Sequence, residues 1–130
     1  MFFCVLGGYP MNIIIAGDGK VGSMLTRQLT SEGYDVTVID SNAQVLASSV
    51  ERYDVIGVHG NCASMEVLQQ ASVKDADLLI AATSADEVNL LCCTTAHALN
   101  PKLHTIARIR NPEYTQQIHA LRNEIGRAHV

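Results

Sequence analysis

The sequence has no excess of basic charge and no apolar run long enough to cross a membrane. Its nine Lys and Arg residues are outnumbered by 13 Asp and Glu residues, which gives a formal net charge of −4. This balance gives no electrostatic footprint for nucleic acid or for an anionic membrane surface, so we exclude both as direct partners. Residues 1–10 are apolar but too short to span a bilayer, and no basic segment precedes them. We therefore expect no direct membrane insertion, and we interpret residues 1–10 as an extension without a fold role.

The cysteine and histidine residues lack the spacings of metal sites and of nucleophilic catalysis. The four cysteines, Cys4, Cys62, Cys92 and Cys93, contain no C-x-x-C pair, and the last two point in different directions on a helix. We interpret all four as reduced thiols of a cytosolic protein, with a zinc site as an alternative that no paired histidine spacing supports. No Ser/His/Asp or Cys/His arrangement is present, so we predict neither catalytic nor metal-binding residues.

Residues 12–40 contain the pattern of a dinucleotide-binding unit. Residues 13–15 are three isoleucines, which is typical of a strand buried on both faces of a parallel sheet. Gly17, Gly19 and Gly22 follow. The first permits a tight turn, the second lets the main chain approach a pyrophosphate, and the third lets the next helix lie close to the strand. The phosphates would then bind the free N–H groups at the start of that helix.

A carboxylate closes this unit. The helix ends at Gly33, and an apolar strand over residues 36–39 is followed by Asp40. At that position, about 20 residues beyond the glycines, a carboxylate accepts hydrogen bonds from both hydroxyls of an adenosine ribose and repels a 2′-phosphate. A glycine turn alone is weak evidence. The prediction therefore rests on strand, helix, second strand and Asp40 falling in register.

Strand and helix patterns alternate through the rest of the chain. Further strands are predicted at residues 54–59, 78–82 and 103–109, and further helices at residues 42–52, 64–71, 88–99 and from Pro112 onward. This alternation predicts an α/β fold, a Rossmann-like doubly wound open parallel sheet with five strands present and the sixth truncated. We place the domain at residues 11–123. A chain of 130 residues has no room for a second domain of this kind.

The end of the chain departs from the pattern. Residues 124–130 contribute no apolar periodicity, and the string at residues 125–130 is what one frame of a sequencing-library adapter encodes. We therefore expect residues 124–130 to be a non-native or truncated tail.

Two more polar turns follow predicted strands, at the edge where the carboxyl ends of parallel strands meet. Asn61 lies in the first turn, where it either contacts an adenine edge or only adopts the turn conformation. Thr83 begins the second turn, which also holds Asp86 and Glu87. These carboxylates could do acid–base work, but the dipole of the following helix also explains them. No Lys–His or Tyr–Lys pair lies beside them.

Over residues 11–123 the chain resembles the N-terminal lobe of regulator-of-potassium-conductance domains, the RCK or KTN family of TrkA N-terminal domains. The resemblance rests on I-I-I-A-G-D-G-K-V-G at residues 13–22, V-I-D at 38–40, H-G-N at 59–61, A-D-L-L-I-A-A-T at 76–83, D-E-V-N at 86–89 and A-R-I-R-N-P-E-Y at 107–114. The last two stretches make it specific, because a general dehydrogenase fingerprint does not require them. One departure is Asn61, where the family commonly has Asp.

The resemblance implies a site for NAD or NADH, with ATP or ADP possible at the same place. By resemblance, the glycine loop lines the phosphates, Asp40 the ribose, Asn61 and Cys62 the adenine, and Thr83 and Arg108 the far end of the nucleotide. The predicted cofactor-binding residues are Gly17, Asp18, Gly19, Lys20, Val21, Gly22, Asp40, Ser41, Asn61, Cys62, Ala82, Thr83 and Arg108.

The resemblance also implies a cytosolic, non-enzymatic regulatory domain that controls a membrane potassium uptake transporter or channel. The expected partner is a membrane potassium-transporter subunit of the TrkH type, which would hold the domain at the inner face of the plasma membrane. The full-length protein is expected to be a homo-oligomer. The alternative is the nucleotide-binding fragment of an NAD-dependent dehydrogenase whose catalytic half is missing, and turnover of NADH against oxo-acids would support it.

Overall fold

A computed structural model describes residues 11–120 and the backbone of residues 128–129. The predicted extension at residues 1–10 and the rest of the predicted tail at residues 124–130 lie outside the described residues. The strands are β1 (Asn12–Ala16), β2 (Asp35–Asp40), β3 (Ile56–His59), β4 (Leu78–Ala81), β5 (His104–Ala107) and β6 (Ala128–His129). They form one parallel sheet in the order β3-β2-β1-β4-β5-β6. This is the doubly wound Rossmann order, and it confirms the predicted fold class.

β1 lies at the centre of the sheet because its side chains are apolar on both faces. It pairs with β2 on one side and with β4 on the other. Ile14 packs into one apolar cluster, while Ile13 and Ile15 pack into a second cluster. Each isoleucine is at most 2% exposed. Burial of one such side chain stabilises a fold by about 1.5–3 kcal/mol, so the three-isoleucine run fixes β1 between the two layers.

Helices connect the strands and cover both faces of the sheet. Within residues 11–120 they are α1 (Lys20–Ser31), α2 (Ala43–Arg52), α3 (Met65–Gln70), α4 (Asp86–Leu99) and α5 (Pro112–Ala120), with a 3-10 turn at Val73–Asp75. Gly33 follows the end of α1 with a φ of 91°. The Asn42 side chain caps α2 by accepting the N–H groups of Gln44 and Val45. In the described part of the chain, no helix has the length and apolar character needed to span a membrane.

The structure differs from the sequence prediction at both edges of the sheet. β3 lies within the strand predicted at residues 54–59 and carries apolar residues, yet Ile56 at its start is 67% exposed. Val58 is the buried residue of this edge strand, and Ile56, Gly57 and His59 are exposed. At the other edge, the backbone of residues 128–129 pairs in parallel with β5, although the sequence predicted no strand in the tail. This pairing uses main-chain groups, so no apolar alternation signals it.

Candidate functional site

The carboxyl ends of β1 to β5 open into one cleft of about 760 Å³. The cleft lies where the strand order reverses between β1 and β4, which is where ligands bind in open α/β sheets. Its walls come from the glycine loop after β1, the end of β2, the loop after β3, and the turns after β4 and β5. The lining residues are Gly17, Gly19, Lys20, Ile39, Asp40, Ser41, Gly60, Asn61, Cys62, Ala82, Thr83, Ser84, Ala85, Val88, Arg108 and Arg110.

Two glycines of the loop are required by close packing. Gly17 has a φ of 105°, and a Cβ atom there would lie 2.9 Å from the Thr83 backbone nitrogen. A Cβ atom on Gly22 would lie 1.7 Å from the Gly17 carbonyl oxygen, a separation that no packing can accommodate. Gly22 therefore lets α1 begin against the loop, and it lies behind the cleft rather than in its wall.

Gly19 has no such packing requirement. Its φ is −78°, and no described atom lies within 4 Å of a Cβ built on it. Gly19 is the N-cap of α1, where no side chain accepts the helix N–H groups and no acidic residue follows in the first turn. The first turn of α4, by contrast, carries Asp86 and Glu87. The start of α1 thus offers N–H groups and the positive end of a helix dipole to an anion in the cleft.

Asp40 braces the glycine loop from the end of β2. One carboxylate oxygen accepts the Asp18 backbone N–H at 2.7 Å, and the other accepts the Asn42 N–H at 2.7 Å. These two bonds fix the orientation of the carboxylate at the cleft wall. Each oxygen keeps acceptor capacity, because an ionised carboxylate offers about four lone-pair sites. The arrangement suits two neighbouring hydroxyls of a ribose.

Asp18 is not among the residues that line the cleft. It is 2% exposed, and neither of its oxygens has a hydrogen-bond partner among the described residues. Burial raises the pKa of Asp18. The nearby Ser49 hydroxyl lowers that pKa without reaching hydrogen-bond geometry, and the charge of Asp40 raises it further. The backbone N–H of Asp18 therefore supports the site by its hydrogen bond to Asp40. The ionised carboxyl of Asp18, in contrast, destabilises the loop.

The loop after β3 contributes Asn61 and Cys62. The Asn61 side-chain oxygen accepts the Ala63 N–H at 3.0 Å, which closes an Asx turn. This hydrogen bond supports the interpretation of Asn61 as a turn residue. The amide N–H groups of its side chain stay available at the cleft wall. Cys62 is 6% exposed and packs on its inner side into the core cluster that contains Cys92.

Asn89 holds the two turns at the other end of the cleft. It is fully buried on α4. Its oxygen accepts the Thr83 N–H at 2.9 Å and the Thr83 hydroxyl at 2.6 Å. Its nitrogen donates to the Thr83 carbonyl at 3.1 Å and to the Arg108 carbonyl at 2.8 Å. One side chain thus fixes the turn after β4 to the end of β5, and it positions two predicted site residues without lining the cleft itself.

Asp86 makes a second link between these turns. Its oxygens accept the N–H groups of Arg110 at 3.0 Å and Asn111 at 2.8 Å, and these bonds hold the pKa of Asp86 below its usual value. The Tyr114 hydroxyl donates to Glu87 at 2.7 Å, which lowers the pKa of Glu87. Both carboxylates are therefore committed to structural hydrogen bonds.

Three basic side chains, Lys20, Arg108 and Arg110, line the cleft. The Arg110 guanidinium donates to the Ser84 carbonyl at 3.0 Å. Among the described residues the guanidinium of Arg108 has no hydrogen-bond partner. The far end of the cleft can therefore receive negative charge.

Ten of the thirteen predicted site residues line this cleft, and Asp18, Val21 and Gly22 do not. Val21 packs instead against the apolar cluster under α1. The positioning role of Asn89 was not predicted, although the D-E-V-N stretch places Asn89 one helical turn after Asp86. Neither Ser84 nor Val88 was predicted as a lining residue, because a small or apolar residue in a turn carries no ligand signal.

A second cleft of about 390 Å³ lies at the amino ends of β1, β2 and β3. Asp35, Asp54 and Asp75 are among its lining residues, and no Lys or Arg within residues 11–120 lines it. It therefore lacks both the glycine loop and the positive charge that a phosphate needs. Across the described residues, no group of three His, Cys, Asp or Glu side chains is arranged to hold a metal ion.

Comparison with known proteins gives a family match over most of the chain. The model of the TrkA-N domain family matches residues 13–127. The Trk system potassium uptake protein TrkA of Vibrio alginolyticus is 40% identical over 111 residues, which are 85% of this chain and 24% of that protein. The chain spans about a quarter to about half of the length of the curated relatives it matches.

Solved structures give the same fold. The Kef CTD of Shewanella denitrificans in its AMP-bound form is 29% identical, with a TM-score of 0.74 over 90% of this chain and 69% of that chain. The GsuK channel bound to NAD has a TM-score of 0.75 at 22% identity, and the match covers 96% of this chain and 22% of the channel chain. This second likeness is one of fold alone.

Proposed function

The chain belongs to the TrkA-N domain family, and on that premise we propose that it binds an adenine nucleotide and thereby regulates potassium transport by a membrane protein. The observation that carries the proposal is the cleft at the carboxyl edge of the sheet. There the uncapped start of α1 and the oriented carboxylate of Asp40 meet, joined by the hydrogen bond from the Asp18 N–H to Asp40. One contact suits phosphate and the other suits a ribose.

We propose that a nucleotide would lie along this cleft from one end to the other. The open space at Gly19 would admit the phosphates, with Lys20 beside them. Asp40 would accept the ribose hydroxyls, and Asn61 and Cys62 would lie against the adenine. Arg108 and Arg110 would then meet the second half of the ligand, whether a further phosphate or a second ribose.

The ligand class we propose is NAD or NADH, with ATP or ADP as competitors for the same site. All of these share the adenosine ribose, so Asp40 cannot discriminate among them. The related structures are consistent with this range, because the Kef CTD is described with AMP and the GsuK channel with NAD. The choice must therefore depend on contacts at Thr83, Arg108 and Arg110.

Regulation follows if two nucleotides hold the domain in different states. A ligand shifts a conformational equilibrium only by its differential affinity for the two states. The far end of the cleft is built on turns that Asn89 and Asp86 tie to α4. A ligand charge that displaces Arg108 or Arg110 would therefore also displace α4, because the turns that carry these arginines are hydrogen-bonded to that helix.

The partner we propose is a potassium-transporter subunit of the TrkH type, with the domain in the cytoplasm at the inner face of the plasma membrane. The Vibrio relative is named for a Trk potassium uptake system, which supports this choice. We further propose that the full-length protein is a homo-oligomer, as expected for regulatory domains that act together on one transporter.

We propose that the domain is not an enzyme. A general acid or base needs a titratable group free to exchange a proton with substrate. Asp86 accepts two backbone N–H groups and Glu87 accepts the Tyr114 hydroxyl, and both pKa values are lowered. This arrangement disfavours the alternative of a dehydrogenase fragment, which turnover of NADH by oxo-acids would support.

Calorimetric titration of the chain with AMP, ADP, ATP and NADH tests the proposal. We expect saturable binding of one nucleotide per chain for at least one of them, and loss of that binding in Gly19→Val. Absence of binding for all four, in protein whose circular dichroism shows a folded domain, would overturn it. The regulatory part of the proposal is tested in cells whose potassium uptake depends on the full-length protein. In these cells Gly19→Val should change the rate of potassium uptake.

A further inference from the structure

We propose that the buried carboxyl of Asp18 is a proton-binding site coupled to the nucleotide site, so that a nucleotide binds more tightly when this carboxyl is protonated. The coupling rests on the proposed function, because that function supplies the nucleotide. The proton site of the free chain does not rest on it, because it follows from the surroundings of the carboxyl alone.

Asp18 lies inside the glycine loop, between Gly17 and Gly19, yet its side chain is enclosed by protein. The residue is 2% exposed, and neither carboxyl oxygen has a hydrogen-bond partner among the described residues. A carboxylate in such a place loses the hydration that stabilises its charge, and no protein donor replaces it. The neutral, protonated carboxyl is therefore favoured, and burial accordingly raises the pKa of Asp18.

The other groups around Asp18 do not reverse this preference. The Ser49 hydroxyl of α2 lowers the pKa of Asp18 but forms no hydrogen bond with its carboxyl. Asp40 of β2 carries a like charge and raises that pKa further. Glu51, an acidic residue of α2, is exposed. Asp18 is thus a carboxyl beside a second carboxylate in a buried place.

No basic side chain offsets this arrangement within residues 11–120. Lys20, the first residue of α1, is exposed in the cleft wall, and Arg52 on α2 is exposed as well. His59 on β3 is exposed, and its ring nitrogen lies 2.9 Å from the Ser41 carbonyl oxygen. In this part of the chain no Lys, Arg or His pairs with the Asp18 carboxyl.

The backbone holds this carboxyl next to the place proposed for the phosphates. The Asp18 N–H donates to Asp40 at 2.7 Å, and the Gly17 N–H donates to the Ile39 carbonyl at 2.8 Å. Both bonds tie the loop to β2, so Asp18 cannot easily leave when an anion enters. Consecutive Cα atoms are about 3.8 Å apart. A phosphate at Gly19, the uncapped start of α1, is therefore a near neighbour of the Asp18 carboxyl.

An ionised Asp18 therefore repels a bound phosphate, and a protonated Asp18 does not. By linkage, the factor by which protonation strengthens binding is also the factor by which binding strengthens protonation. The pKa of Asp18 is then higher in the complex than in the free chain. Affinity is highest below the pKa of the free chain, falls as the pH rises, and is constant again above the pKa of the complex. Acidification thus favours the bound state.

Calorimetric titration with NAD at several pH values from about 4 to about 8 tests the coupling. NAD is a suitable probe because its diphosphate carries the same charge throughout this range. The affinity should be about tenfold higher at the acid end than at the alkaline end, within the usual range for coupled sites. In buffers of different ionisation enthalpy, the heats should show that the complex takes up a proton where the affinity changes with pH.

Variants assign the proton to one residue. Asp18→Asn should bind NAD at every pH with the affinity that the unaltered chain has in acid, and without proton uptake. Asp54→Asn removes an exposed carboxylate that does not line the nucleotide cleft, so it should keep the pH dependence. If NAD does not bind, ADP replaces it, and the difference between the unaltered chain and Asp18→Asn cancels the protonation of ADP itself.

Carbon-13 NMR of the Asp18 carboxyl in the unaltered chain gives a direct readout that does not need a folded variant. Its titration should move to higher pH when nucleotide is added. Equal titration with and without nucleotide, or a pH dependence of binding that persists in Asp18→Asn, would overturn the coupling. An Asp18 that titrates in the ordinary range of a carboxyl in the free chain would overturn the proton site.

The proposed function and the proton site fail separately. If neither NAD nor ADP binds to the folded chain, the proposed function fails and the coupling fails with it. The NMR titration of the free chain still decides whether Asp18 holds its proton to a higher pH than an ordinary carboxyl.

Discussion

The carboxylate of Asp40 accepts the backbone N–H of Asp18 at 2.7 Å, so the residue that ends β2 holds the glycine loop that ends β1. Two parts of the proposed nucleotide site, the phosphate loop and the ribose acceptor, are therefore one hydrogen-bonded unit. A substitution at Asp40 changes both the charge that a ribose meets and the support of the loop.

Asp40 should make the site select against a 2′-phosphate. NADH should bind about 100-fold more tightly than NADPH, because a like-charge contact in a binding site costs several kcal/mol. Asp40→Asn should reduce this ratio to within about tenfold, since it removes the charge and keeps one acceptor oxygen for the Asp18 N–H. Calorimetry with both cofactors measures the ratio. Equal affinities in the unaltered chain would contradict the placement of Asp40 at the ribose.

Gly19 and Gly22 should respond in opposite ways to an added side chain. Gly19→Val should fold and lose nucleotide binding, because the space around Gly19 is empty of protein and its φ suits any residue. Gly22→Val should unfold or severely destabilise the domain, because its Cβ would meet the Gly17 carbonyl oxygen. Circular dichroism and thermal unfolding check the folds, and titration with ADP checks binding. An unfolded Gly19→Val variant would show that Gly19 is structural.

Removal of the Asp18 charge should stabilise the domain at neutral pH. The pKa of Asp18 is raised in the folded state, so the folded protein binds more protons than the unfolded chain between about pH 3.9 and that raised pKa. Stability due to Asp18 is therefore present at low pH and is lost as the pH rises through this window. Asp18→Asn should raise the free energy of unfolding at pH 7 by on the order of 1 kcal/mol, with no gain below the window.

The exposed Asp54 provides the control for this change. Asp54→Asn should leave the urea unfolding curve unchanged within about 0.5 kcal/mol at every pH. If Asp18→Asn behaves in the same way, or destabilises the domain at pH 7, the buried carboxyl has a partner in solution that offsets its burial.

Asn89 should be required both for stability and for binding. Asn89→Ala leaves the Thr83 N–H and the Arg108 carbonyl without their partner, and it should lower the free energy of unfolding by about 2–4 kcal/mol. The displaced turns should also weaken nucleotide binding. Asn100 is a matched control, because it is also a buried asparagine and its side chain donates to the Val73 and Ala76 carbonyls just before the start of β4.

Asn100→Ala should therefore lower stability by a similar amount and leave the affinity for ADP unchanged. Urea unfolding and calorimetry on the two variants give the comparison. Equal loss of affinity in both would mean that the effect of Asn89 comes from general destabilisation and not from the position of the turns.

The arginines at the far end of the cleft should discriminate ATP from NADH. Arg108→Gln should lower the affinity for ATP by about tenfold and the affinity for NADH by much less. The reason is that a guanidinium pairs bidentately with a phosphate and the Gln side chain cannot. Arg110→Gln should have a smaller effect, because the Arg110 guanidinium already donates to the Ser84 carbonyl. Arg27→Gln on the exposed face of α1 serves as the charge control. An equal loss of affinity for ATP and NADH would show that these arginines do not discriminate between the two ligands.

Much of the fold and part of the candidate site follow from local sequence. The three isoleucines of β1 specify a strand buried on both faces, and the spacing of Gly17, Gly19 and Gly22 specifies the turn into α1. Asp40 is predicted as a site residue because it ends the second strand of the same unit. In each case the signal lies within one strand–turn–helix segment, where residue type and spacing alone determine which conformations are allowed.

Only the tertiary structure decided the contacts between segments. Asn89 bonds to the Arg108 carbonyl 19 positions away, and Asp86 accepts the N–H groups of Arg110 and Asn111, which are 24 and 25 positions away. Asp18 was predicted together with the rest of the glycine loop, yet its carboxyl is buried with no hydrogen-bond partner among the described residues. Which side chains meet across the sheet depends on how each helix packs on its face. That packing is a property of the whole core, so no local pattern in the sequence encodes it.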